Sequence, residues 1–370
     1  MNKETLHSYN TRLNTNNTSL DDILNVINVL PEINATEIII TPTNEKQVIE
    51  PETPYNAFNK VIVEASSGAD LNEYFDMVVT SENVLNFGSG RMLKKMPPLQ
   101  IQTDNLSNMF NSYKGSYLPL IDATGVTNMQ YFCRYASEIT DINLINTSQV
   151  TNFDSAFQGC SKLVNVSTID CTSATNMLQM FGNDTLIEEL NFINTSNVTN
   201  FVNAFNGCQK LKTINGLDTS GATNLNSTFN NCYVLTTING NLNTSNVENM
   251  NNLFSNARAL TKIPKLDCSK VTVISNVLAG THNDLTYLGG FENLGQAYST
   301  TTSASNSNYT LTLNACYELT HESLMNIINN LYDIASKGCK TQRLTLGTTL
   351  KNKLTAEEIA IATNKGWTVS

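Results

Sequence analysis

Cysteine, histidine and paired carboxylates are the side chains in this sequence that could carry chemistry. The chain holds eight cysteines and only three histidines, His7, His282 and His321, far apart. Zinc sites gather such residues at short spacings, and no Cys-x-x-Cys pair occurs. Cys160, Cys208 and Cys232 are separated by multiples of 24 residues. If they lie on neighbouring strands about 5 Å apart, Cys208 and Cys232 could bond; a column of buried thiols is the expectation. Glu188-Glu189 has the look of an acid/base pair, but adjacent strand residues point to opposite faces. His282 and His321 have no nucleophile or carboxylate motif beside them and are expected on a polar surface. G-x-S-x-G, P-loop and H-E-x-x-H patterns are lacking. Asn194-Thr195-Ser196 matches a glycosylation sequon, but its position suits a turn. These residues point away from an enzyme, with no metal and no cofactor.

The elements that must position them are set by a repeat. Val126-Thr127-Asn128-Met129 recurs at Val150, Ala174, Val198, Ala222 and Val247, and its asparagines are 24, 24, 24, 24 and 25 residues apart. A further copy, Val271-Thr272-Val273-Ile274, lacks the Asn. Five residues after each Asn comes Phe157, Phe181, Phe205, Phe229 or Phe254, with Cys133 in the first copy. Leucine or isoleucine pairs follow, such as Leu211 and Ile214, then Ile145, Ile169, Ile193, Leu217 or Leu266, then Asp or Asn and Thr-Ser. No single unit has enough apolar surface to fold alone, so stacked units must share a core. The Leu-x-x-Ile stretch reads as a short strand in a parallel sheet. The Val-Thr-Asn stretch reads as a turn with one or two helical turns, its Asn satisfying backbone groups.

Polar residues flank the core positions of each strand and are expected to point outward. One row is Asp141, Asn165, Glu189, Thr213, Thr237 and Lys262. The other is Asn143, Ser167, Asn191, Asn215, Asn239 and Pro264. Amides and hydroxyls with little charge suit contact with a glycan or a polar protein surface.

The formal charge of −10 and pI near 4.8, with Lys and Arg numbering 22 and never running beyond Lys94-Lys95, argue against nucleic acid and anionic membranes. Met1 to Leu20 has no apolar core of a secretory signal, and nothing resembles a transmembrane span. A soluble protein made in a cytoplasm, with no membrane insertion, is the expectation. Leu6, Leu13, Leu20, Ile23 and Ile27 form a partial heptad seam for oligomerisation, interrupted by Asn16-Asn17-Thr18-Ser19. Near the other end, residues 320–335 and 355–365 read as helices, with Thr355 and Glu358 as a capping box. Arg343-Leu344-Thr345-Leu346 and Trp367-Thr368-Val369 read as strands.

The repeat over about residues 93–290 resembles the BspA-like subclass of leucine-rich repeats, whose units read much like L-D-T-S-N-V-T-N-M. Ile40-Thr41-Pro42-Thr43, Gln47-Val48-Ile49-Glu50-Pro51, Tyr55 and Lys60–Ala65 are similar to a β-module of bacteriophage tail and baseplate proteins, over about residues 3–66. Together the resemblances imply an α/β-type leucine-rich-repeat-like solenoid of about 24-residue units. Its divisions would be an N-terminal helical segment (1–32), a small β-module (33–68), the repeats with capping strands (69–295) and an α+β C-terminal cap (296–370). They imply a virion protein of the tail, baseplate or capsid, a homotrimer held to other virion proteins through its N-terminus, whose solenoid engages a bacterial surface protein or glycan. The alternative is a bacterial BspA-like surface adhesin binding host proteins.

Overall fold

The computed structural model describes residues 99–370, apart from 117, 281, 283 and 300–309, and four short strands before them. The architecture is β-rich and repeat-like: short parallel strands and few helices among the described residues, with most repeat strands pairing with their counterparts one repeat on. Gln47–Ile49, Phe75–Thr80, Leu99–Gln102, Ile121–Asp122 and Leu144–Ile145 form one parallel sheet. A second runs through Ile169–Asp170, Glu189–Ile193, Thr213–Asp218 and Thr237–Asn241. Within it Leu190, Ile214 and Ile238 stand opposite one another. The repeat length therefore equals one step of the ladder, and like residues stack on like.

The stretch after each Asn is not helical. The third and seventh residues beyond the Asn adopt left-handed φ in every copy, as at Tyr131 and Tyr135, Gln179 and Asn183, and Ser227 and Asn231. A helix needs an unbroken run of right-handed residues, so this alternation prevents one. Backbone donors alternate as well. Met129, Tyr131, Cys133 and Tyr135 N–H groups donate to the carbonyls of Asn152, Asp154, Ala156 and Gln158 at 2.6–2.9 Å. Between them, Phe132 and Arg134 donate three residues back, to Met129 and Tyr131. The turns thus tie one repeat to the next as a strand ladder would.

Phenylalanine rings form the centre of the core. Phe157, Phe181, Phe205, Phe229 and Phe254 follow at centroid separations of 5.1, 6.4, 5.7 and 5.4 Å. Where Cys133 replaces the aromatic, the preceding Phe132 takes its place, 6.3 Å from Phe157. The next apolar row departs from expectation. Ile169, Leu217 and Leu266 are buried, whereas Ile145 and Ile193 are about half exposed, 43% and 52%. In those two repeats the preceding residue is also apolar, and Leu144 and Phe192 turn inward instead. Strand side chains alternate faces, so only one of two adjacent apolar residues can reach the core.

Beyond the repeats, Thr310–Thr312, Gln342–Thr345 and Trp367–Val369 make a parallel sheet. The helix His321–Asn330 begins at the cap Thr320, and Ala356–Asn364 begins with the Thr355/Glu358 capping box. A short helix at Gly347–Lys351 was not foreseen. Ser323 Oγ accepts from the Leu288 amide at 3.0 Å, joining the first helix to the last repeat strands.

Candidate functional site

The turns hold the strands in place through their side chains. Asn128, Asn152, Asn176, Asn200, Asn224 and Asn249 each accept, through Oδ1, the amide two residues on, at 2.9–3.1 Å. Asn152, Asn176 and Asn200 also donate Nδ2 to the preceding Asn, at 3.4, 3.1 and 3.1 Å. Thr147, Thr195, Thr219 and Thr244 of the Thr-Ser corners are buried and bridge repeats: Thr195 Oγ1 donates to the Asp218 carbonyl at 2.8 Å and accepts from its amide at 2.7 Å. These groups are committed to backbone. Asn194, the sequon residue, sits at φ 50° and accepts from Ser196 N and Oγ, which is turn work.

On this frame the two polar rows lie along the sheet, none of them buried. Asp141 stands opposite Asn165, Glu189 opposite Thr213, and Thr213 opposite Thr237. In the second row Asn191, Asn215 and Asn239 are in register. Asn215 Nδ2 reaches Asn191 Oδ1 at 2.8 Å and Glu189 Oε1 at 2.9 Å, and Asn239 Nδ2 reaches Asn215 Oδ1 at 2.7 Å. Asn165 Nδ2 donates to Asp141 Oδ1 at 2.6 Å. An amide has two donors and two lone pairs, so the ladder preorganises the row and leaves further capacity for a ligand. Asn143 and Lys262 are exposed. Ser167 differs: its hydroxyl accepts from the Leu144 amide at 2.8 Å and donates to the Leu144 carbonyl at 3.0 Å, so it braces the strand. The seam residues Leu6, Leu13, Leu20, Ile23 and Ile27 lie outside the described residues.

The other candidates take structural places. Cys160, Cys208 and Cys232 are free and buried, and each thiol is directed at a backbone carbonyl, of Cys133, Phe181 and Phe205, at 3.0–3.1 Å. Burial pushes the Cys232 thiol up to about 12. Glu188 and Glu189 are both exposed, because Glu188 precedes the strand and the alternation does not yet apply; Glu188 pairs with Lys212 at 2.7 Å. His321 is exposed beside Glu358, 2.8 Å away. His282 corrects the surface expectation: it is fully buried, and its ring nitrogens meet only the backbone of Ala257 and Ala279, without a well-aligned hydrogen bond. Asp184 was missed altogether. It occupies the place in its repeat that Cys160 and Cys208 occupy in theirs, is fully buried, and its carboxyl oxygens meet only the backbone of Gly159 and Cys160, without a well-aligned hydrogen bond. Among the described residues no three His, Cys, Asp or Glu side chains could hold a metal, and no helix is long and apolar enough to cross a membrane.

Comparison with curated proteins finds no match to this chain. A family described as "Mycoplasma protein of unknown function, DUF285" matches residues 103–188 and 175–288. The matched segments coincide with the repeats and agree with the BspA-like resemblance; no bacteriophage module is among the matches. Since the two segments together span residues 103–288, 186 of 370, the chain belongs to this family of repeat proteins.

Proposed function

We propose that the chain is a BspA-like surface protein whose repeats wind as one solenoid and whose sheet face recognises a host protein or glycan by contact, without catalysis. The observation that carries this reading is the in-register amide row Asn191, Asn215 and Asn239, held together at 2.7–2.8 Å and open to solvent on its other side. Parallel stacking converts a single polar position into a line with a step of about 4.8 Å, a form that matches an extended partner. The family match favours this adhesin reading over the virion appendage, which draws on residues 3–66 alone. Self-association through residues 1–66 is a separate part of the proposal.

Incubation of the full chain with immobilised extracellular-matrix proteins and glycans tests the reading. Saturable binding to at least one component, with every glycan recovered intact, is the expected result. Release of oligosaccharides would overturn the non-catalytic assignment. Light scattering on the full chain, and on a chain lacking residues 1–66, checks assembly: loss of a trimer on truncation supports the N-terminal seam, and two monomers oppose it.

A further inference from the structure

The repeat between Asn224 and Asn249 is one residue longer than those before it. Ile214-Asn215-Gly216-Leu217-Asp218-Thr219-Ser220 becomes Ile238-Asn239-Gly240-Asn241-Leu242-Asn243-Thr244-Ser245, so Asn241 is the added residue. Pairing slips at this point: Asn215 faces Asn239, but Leu217 faces Gly240 and Asp218 faces Asn241. The chains approach so closely that a Cβ on Gly240 would lie 2.0 Å from the Leu217 carbonyl oxygen. Leu242 is carried past its place in the core and is only partly buried, whereas its counterpart Leu217 is fully buried.

Sheet pairing then stops. Thr237–Asn241 is the end of its sheet, and the next strands, Lys262–Ile263 and Leu266–Asp267, pair onward with Tyr287–Leu288 and Phe291–Glu292. Pro264, between those two strands, has no N–H to offer a ladder. The gap holds a cavity of about 300 Å³. Its walls are part apolar and part polar, with Ile238, Leu242, Phe254 and Ile263 beside Thr236, while Asn241 and Lys262 are exposed to solvent at its edge. Lys262 makes no ion pair among the described residues.

We propose that this cavity is a subsite of the recognition face that takes an aromatic or large aliphatic side chain from an extended segment of a partner protein, with a carboxylate of that segment at Lys262. The inference rests on the reading of the sheet face as a recognition surface. Its volume is at the lower end of that of small-ligand pockets, and a lining that is part apolar and part polar suits a hydrocarbon group that carries polar ends. The end of the Thr237–Asn241 strand's sheet presents backbone groups that an extended peptide satisfies with its own amides. The Lys262 ammonium selects for a nearby anion. A sugar ring fits less well, because the Phe254 face is stacked on Phe229 at 5.4 Å and 7° and offers no platform.

N-acetyl-L-phenylalanine carries the three required groups and serves as the probe, titrated into the isotope-labelled full chain by two-dimensional NMR. Saturable shifts at the amides of Ile238, Leu242 and Lys262 are expected. Deleting Asn241 restores the 24-residue spacing and should abolish them, as should Ile263→Trp, which fills the cavity at unchanged length. Lys262→Gln should weaken the probe about fivefold while leaving N-acetylphenylalaninamide unaffected. Absence of saturable shifts in the unaltered chain overturns the proposal, as does saturation by N-acetylglucosamine in place of the phenylalanine derivative. Should the Asn241 deletion retain full binding to the partner while substitution of the Asn191, Asn215 and Asn239 row removes it, the subsite falls and the wider reading stands.

Discussion

Asp184 stands one repeat before Cys208 and at the same place in its repeat, yet only the cysteine has a well-formed hydrogen bond. The Cys208 thiol donates to the Phe181 carbonyl at 3.0 Å, while both Asp184 oxygens are buried beside the backbone of Gly159 and Cys160 without a well-aligned donor. Burial holds the Asp184 carboxyl well above the usual carboxylate range, so the folded state keeps its proton where the unfolded chain gives it up. Stability from this group is present below the unfolded value, 3.8, and falls as pH rises toward the folded value.

Asp184→Cys should therefore stabilise the protein at pH 7, by about 1–3 kcal/mol, the ordinary cost of a buried unsatisfied polar group. The gain should shrink at acid pH, where the carboxyl is neutral in both states. Urea unfolding of both chains at pH 3.5 and 7 measures it. A gain independent of pH would show that packing, not ionisation, is responsible.

His282 has the opposite sign. Burial lowers its affinity for a proton below the ordinary 6.5, so the unfolded chain takes up a proton that the folded chain refuses. Stability is complete above 6.5 and declines as pH falls through that value. His282→Leu should remove this decline, so that its unfolding midpoint exceeds that of the unaltered chain by more at pH 5.5 than at pH 7.5. Equal differences at the two pH values would contradict the buried neutral ring.

The ring column makes a stability prediction. Phe205 is stacked between Phe181 and Phe229 at 6.4 and 5.7 Å, and Phe205→Ala should cost about 3–5 kcal/mol in equilibrium unfolding. Less than about 1 kcal/mol would mean that neighbouring repeats close over the cavity.

The Asn column makes another. Asn176 accepts from the Leu178 amide at 3.1 Å, donates to Asn152 and accepts from Asn200. Asn176→Ala should cost about 2 kcal/mol, from an unpaired amide and two broken side-chain bonds. Val273 holds this position in the last copy, so Val273→Ala should cost less. Equal losses at the two sites would argue against a special role for the amides.

Much of this was legible from spacing. The 24-residue recurrence of Val-Thr-Asn placed the Phe column, the Thr corners and both polar rows, because a parallel ladder preserves register from repeat to repeat. The Asn ladder could be inferred from backbone groups that needed partners. The turns could not be told from helix, because the apolar spacing suits both and only the left-handed residues, as at Tyr131 and Gln179, decide. The inward flip of Leu144 and Phe192 was hidden in adjacent apolar pairs that the alternation rule leaves undetermined. Asp184 is not marked by spacing, because an acid at the repeat position of Cys160 and Cys208 reads as an exposed turn residue until its burial is seen. The 25-residue repeat was visible, but its consequence depended on the slip at Gly240 and on Pro264 in the next repeat.

Contact through the sheet face is tested by surface-plasmon binding of the full chain to the matrix protein or glycan that retains it, set against two variants. Asn191→Ala/Asn215→Ala/Asn239→Ala removes the amide row. Gln209→Ala/Lys210→Ala alters exposed residues outside both rows. The first variant is expected to fold and to lose affinity at least about tenfold, or about 1.4 kcal/mol, while the second binds as the unaltered chain does. Equal binding by both variants would remove the amide row from the contact.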